Sequence, residues 1–179
     1  MQNAVVQPDA GVDSEFLEDW NARQLAAWNE HDLDAIVAMV AEDVTWDDPS
    51  EPETLHGREA VRRFIAQTLR AFPDLVIEET EPIYRSETRP KVLVPYRFTG
   101  TMLGEWESLS LAATGARVSF DGVDQWEFRD ELLYRYSTSY DTMGVARQLG
   151  LLPPVGSFAD RAMKPLQHVI ARFQRRRAA

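Results

Sequence analysis

The period of the hydrophobic pattern changes once along this chain, and that change limits the folds open to it. Up to Pro73 the apolar residues recur every three or four positions, as on one face of a helix. From Leu75 to Asp141 they recur at close to every second position, as on one face of a strand. Helices followed by a run of strands predict an α+β domain, with helices laid on one face of a mainly antiparallel sheet.

Asp13 or Ser14 caps a first helix carrying Leu17, Trp20, Gln24 and Trp28 at helical spacing, with Leu25 flanking. Gln24 is the polar member of that stripe. Asp32 caps a short second helix with Leu33, Ile36, Val37 and Val40 on one face. Residues 44–47 read as a short strand stopped at Pro49. A third helix over about 58–72 buries Val61, Phe64, Ile65, Leu69 and Phe72, and Pro73 ends it. Strands are expected at about 75–83, 91–99, 105–112, 117–128 and 132–141, with Gly100, Gly104, Gly115 and Gly122 as turns or bulges. Pro95 inside such a strand implies an edge position or a bulge.

Composition removes several function classes. The 179 residues include no Cys, so disulfides, Cys-ligated zinc and thiolate catalysis are excluded. The 3 His (His31, His56 and His168) are widely spaced, and no metal site is expected. No cofactor is expected either. A net charge of -10 argues against nucleic acid as a partner. No apolar run is long enough to span a membrane and residues 1–13 do not resemble a secretory signal, so a cytoplasmic location is expected.

Residues 1–13 are expected to fray, 14–153 to form the domain, and 154–179 to form a basic helical extension. That extension carries Arg161, Lys164, Arg172, Arg175, Arg176 and Arg177 against Asp160, with Leu166, Val169, Ile170 and Phe173 as its apolar stripe. The stripe is short and lacks Trp, so packing on the domain or a partner subunit is favoured over membrane binding.

Two carboxylates stand out by parity. On 117–128 the even positions Val118, Phe120, Gly122, Asp124, Trp126 and Phe128 share one face, apolar except for Asp124. Leu132, Tyr134, Tyr136, Thr138 and Tyr140 form the matching face of the next strand. A tight hairpin around 129–131 places Tyr136 opposite Asp124 and Thr138 near Gly122. A carboxylate among aromatics is costly when ionised, so its pKa should rise into the range of a proton donor. The alternative is a structural pair with Tyr136. Asp48, in Trp46-Asp47-Asp48-Pro49, falls on the face of Trp46 at a strand end, and the alternative there is turn chemistry. Among the remaining polar residues, His56 and His31 read as structural, Asp141 as a helix cap and Arg97 as facing away from Val94, Tyr96 and Phe98.

Three segments carry a resemblance: Trp28-Asn29-Glu30-His31-Asp32-Leu33-Asp34-Ala35-Ile36-Val37, Glu42-Asp43-Val44-Thr45-Trp46-Asp47-Asp48-Pro49, and Leu55-His56-Gly57-Arg58-Glu59-Ala60-Val61. They resemble the nuclear-transport-factor-two-like superfamily, cone-shaped α+β domains whose curved sheet wraps three helices around a deep pocket. The strand pair at 117–141 and Arg147-Gln148-Leu149-Gly150 resemble its SnoaL-like polyketide cyclase branch. By resemblance to ketosteroid isomerases, Asp48 matches the general base and Asp124 a protonated acid of the oxyanion hole, while Gln24 stands where those enzymes have a tyrosine. By resemblance to SnoaL-type cyclases, Asp124 and Thr138 occupy the positions of the acid/base His and Asp. The resemblance also implies a homodimer.

These readings converge on an enzyme acting on a hydrophobic carbonyl compound, by polyketide-type cyclisation or enolate isomerisation. Asp48 and Asp124 are the expected catalytic residues. Trp20, Gln24, Trp46, Tyr96, Trp106, Trp126, Tyr136 and Thr138 are the expected substrate-binding residues. The rival readings are a ketosteroid-isomerase-like double-bond isomerase, a non-catalytic ligand-binding or partner-binding cone, and epoxide opening, which requires an inward arginine.

Overall fold

The computed structural model describes residues 12–159 and 161. The apolar stripe expected at Leu166, Val169, Ile170 and Phe173 lies outside the described residues. The elements are α1 (Ser14–Asn29), α2 (Leu33–Ala38), β1 (Val40–Asp47), β2 (Leu55–His56), α3 (Arg58–Ala71), β3 (Val76–Glu79), β4 (Tyr84–Arg85), β5 (Lys91–Thr101), β6 (Arg117–Arg129), β7 (Leu132–Tyr140) and α4 (Thr142–Gln148). The sheet order is β2-β1-β7-β6-β5-β3, with β4 also on β5. Among the described residues only the β1–β7 pair is parallel. The sheet is curved and unclosed, in a mixed α+β fold as the pattern predicted. No helix among the described residues is long and apolar enough to cross a membrane.

The helices begin where their caps dictate. Asp13 Oδ1 accepts from the amides of Glu15 and Phe16, both at 3.0 Å, and Asp32 Oδ1 accepts from Ala35 N at 3.0 Å. Asp141 does the same for α4 through Gly144 N, at 2.9 Å. His31 holds the α1–α2 corner with a positive φ and a ring nitrogen 2.9 Å from the Leu75 carbonyl. The amphipathic α3 buries Val61 and Ile65 completely against the sheet.

The structure corrects four local expectations. Val40 opens β1 rather than closing α2; it is buried under either assignment, so helical spacing alone does not separate them. Residues 105–112 are not a strand. They form a 3-10 turn, Glu107–Leu109, closed by a bridge between Trp106 and Leu111 and tied to α3 through Gln67 Oε1 and Ser108 N at 2.9 Å. Gly104 makes that docking possible, since a Cβ there would lie 2.3 Å from the Arg70 carbonyl oxygen.

Pro95 sits in a strand paired on both sides, neither at a sheet edge nor at a bulge. Its carbonyl accepts from Thr80 N just past the end of β3, so its nitrogen, which lacks a hydrogen, faces the same side, where the β3 ladder stops.

The β6–β7 register also differs. Asp124 lies opposite Thr138, Trp126 opposite Tyr136, and Gly122 opposite Tyr140. Two features shift it. The turn is the two residues Asp130 and Glu131, both at positive φ, and a register shift follows between Glu127 and Phe128 that leaves Tyr134 unpaired. The extra residue reverses the parity of the strand start. Leu133 faces the core, whereas Tyr134 turns outward to Glu127 and Arg129.

Candidate active site

The cone encloses a cavity of about 110 Å³. Its wall is mostly aromatic and aliphatic. Trp20 and Trp28 come from α1, Phe64 and Phe72 from α3 and its end, and Tyr96, Phe120, Trp126, Tyr136 and Tyr140 from the sheet. The rings brace one another. Trp46 stacks on Tyr136 with centroids 3.7 Å apart, Phe98 stacks on Phe120 at 5.0 Å, and Trp20 meets Trp126 edge-on at 4.9 Å.

Asp48 and Asp124 both line this cavity. Strand parity put each there, Asp48 two residues beyond buried Trp46 and Asp124 between Gly122 and buried Trp126. Asp48 Oδ1 accepts from Ser50 N at 2.8 Å, Ser50 Oγ at 2.6 Å and Tyr140 OH at 3.1 Å. This is the Asx-type turn that an Asp-Pro-Ser sequence favours, and it fixes the carboxylate at the strand end. The turn-forming and cavity-lining readings of Asp48 therefore describe one geometry.

Asp124 Oδ1 accepts from Tyr136 OH at 2.8 Å. Burial in the aromatic wall pushes the Asp124 carboxyl up to about 7, and the charge of Asp48 adds to that rise. Hydrogen bonds from Thr138, Tyr136 and Trp126 act in the opposite direction and only partly offset it. The same burial, with Asp124 nearby, holds the Tyr136 and Tyr96 hydroxyls above their ordinary range. Both phenols are therefore neutral donors at neutral pH.

Seven of the eight residues expected to bind substrate line the cavity: Trp20, Gln24, Trp46, Tyr96, Trp106, Trp126 and Tyr136. Thr138 does not line this cavity; it is buried, with its hydroxyl 2.9 Å from Tyr96 OH. It touches the site through Tyr96 and Asp124.

Sequence reasoning missed Ser50, Tyr140, Asn21 and Glu79. Tyr140 has the parity of the cavity face, and Ser50 completes an Asx turn; both signals were present. Asn21 and Glu79 are joined only in three dimensions, Asn21 Nδ2 donating to Glu79 Oε1. Gln24 Nε2 in turn donates to Asn21 Oδ1 at 3.2 Å. The indole N–H groups of Trp20, Trp46 and Trp106 are buried without a partner among the described residues. Arg97 is on the outer face in a two-bond pair with Asp121, at 2.7 and 3.1 Å. His56 is exposed on β2.

No group of His, Asp or Glu among the described residues is arranged to hold a metal ion. The described wall of the cavity carries no Lys, Arg or His.

The sequence of residues 21–136 matches the model of a family described as the SnoaL-like domain. Solved structures share the architecture. AclR, a candidate hydroxylase from Streptomyces galilaeus, is 24% identical over 90% of this chain and 97% of its own, with a TM-score of 0.66. A candidate SnoaL-like polyketide cyclase from Jannaschia sp. CCS1 is 17% identical over 86% of this chain and 100% of its own, with a TM-score of 0.66. A Catenulispora acidiphila protein with a ketosteroid isomerase-like fold, solved in complex with trimethylamine, is 19% identical over 78% of this chain and 95% of its own, with a TM-score of 0.61. At these identities the likeness is one of fold.

Proposed function

Since the chain belongs to the SnoaL-like domain family, we propose that it is an enzyme using two carboxylates for acid/base chemistry on a hydrophobic carbonyl compound. The observation that carries this reading is the presence of Asp48 and Asp124 in one aromatic cavity, one held at a strand end by three donors and the other with its pKa raised to about 7. Two carboxylates in such different surroundings divide into a base and an acid.

Asp48 removes a proton from the carbon next to the carbonyl. Its Oδ1 is occupied by Ser50 and Tyr140, which leaves Oδ2 to take that proton. Asp124, protonated, donates a hydrogen bond to the oxygen as enolate charge develops. Tyr136 holds Asp124 Oδ1 as an acceptor, so the acidic proton belongs on Oδ2. Ring closure onto a second carbonyl, or return of the proton to a different carbon, completes a cyclisation or an isomerisation.

Epoxide opening is not supported, because it needs a cation beside the two acids and the described wall has none. The test begins with native extraction and mass spectrometry of co-purified ligand, followed by turnover of that compound. Asp48→Asn and Asp124→Asn should each lower turnover by at least ~100-fold. Unchanged turnover in both would end the proposal.

A further inference from the structure

We propose that the cavity contains a second polar subsite, at Gln24 on α1, that accepts a hydrogen bond from a hydroxyl or amine group of the ligand. The polarity follows from a chain of three side chains. The Glu79 carboxylate only accepts hydrogen bonds, so Asn21 must turn its amide nitrogen toward it. That turn leaves Asn21 Oδ1 facing Gln24, 3.2 Å away, so Gln24 must turn its own nitrogen toward Asn21. The far end of the Gln24 amide is its carbonyl oxygen. It accepts no hydrogen bond among the described residues, although Gln24 is 9% exposed and lines the cavity.

A ligand hydroxyl or amine that reaches this oxygen can pair with it. The other polar groups nearby differ. The Thr68 hydroxyl is spent on the Phe64 carbonyl at 3.0 Å, and the orphan indole N–H groups are covered on every side. Gln24 therefore offers a ligand an acceptor. It reaches in from the helix side, while Asp48 and Asp124 come from the sheet side.

The subsite shares the cavity with the proposed reaction but does not depend on its chemistry, so binding without turnover tests it separately. The probes are trans-2-decalol and its methyl ether, two apolar bicyclic compounds that differ in one donor hydrogen, with affinity read from tryptophan emission. The wild type should prefer the alcohol about tenfold, as one hydrogen bond of ordinary strength gives. Gln24→Met should abolish the preference, and Gln24→Glu at pH 8, which keeps an acceptor, should retain it. Asn21→Ala, which releases the amide, should reduce the preference and serves if Gln24→Met does not fold. A preference that survives Gln24→Met, or one that Asp48→Asn removes instead, would overturn the assignment.

Discussion

Tyr136 donates its hydroxyl to Asp124 Oδ1 at 2.8 Å along a diagonal, because the residue directly opposite Asp124 is Thr138. Tyr136 is itself paired with Trp126 and stacked on Trp46, so the donor cannot swing away from the carboxylate. This hydrogen bond stabilises the ionised carboxylate and restrains a pKa that burial drives upward. Tyr136→Phe should therefore move the Asp124 titration to higher pH, read from the emission of neighbouring Trp126. A downward move would show that the hydroxyl favours the protonated acid instead.

The raised pKa of Asp124 also makes stability depend on pH. The folded protein holds this proton up to about pH 7, whereas an unfolded carboxyl releases it near 3.8. Between those values the folded state binds the extra proton, so stability falls as pH rises from about 4 to about 7 and then levels. The full effect is on the order of 4 kcal/mol. Asp124→Asn removes the cost of ionisation. The difference in melting temperature between Asp124→Asn and wild type should thus grow in favour of the variant between pH 5 and pH 8. A difference constant across that range would contradict the assignment of the shift to Asp124.

Gly122 gives Tyr96 its place. A Cβ at Gly122 would lie 2.6 Å from the Tyr96 hydroxyl oxygen, and these two residues are cross-strand partners. Gly122→Ala should displace the ring, break its 2.9 Å contact with Thr138, and destabilise the fold by about 1–3 kcal/mol in urea unfolding. Pairing the change with Tyr96→Phe should recover little of that loss, since the ring is crowded as well as the hydroxyl.

The charge of the cavity wall disfavours anions. Asp48, Glu79 and Asp124 line the cavity and no cation among the described wall residues answers them. A carboxylate ligand would meet repulsion and lose its hydration. Methyl 2-naphthoate should bind at least ~10-fold more tightly than 2-naphthoate at pH 8, measured by calorimetry. Equal affinities would contradict the exclusion of anions by this wall.

The outline of the fold was legible because its signals are local. Asp13 and Asp32 cap helices through their own neighbours, and the apolar faces of α3 and β6 obey one period each. The positions of Asp48 and Asp124 were legible for the same reason, since parity within one strand decides which way a side chain points. The register between β6 and β7 was not. It depends on the positive φ of Asp130 and Glu131 and on one unpaired residue, Tyr134, none of which breaks the apolar pattern on β6. The Glu79–Asn21–Gln24 chain was hidden more deeply, because it joins residues 58 positions apart through hydrogen bonds that no spacing encodes.

Asp48 and Asp124 are taken to divide base and acid roles within one cavity, and a carboxyl titration reads that division without a substrate. Protein labelled with 13C at the aspartate carboxyls, compared with Asp124→Asn for assignment, isolates the Asp124 signal. Its midpoint should lie near pH 7, and Asp48→Asn should lower it, because the Asp48 charge contributes to the rise. A midpoint near 4, the ordinary range for aspartate, unmoved by Asp48→Asn, would contradict the account.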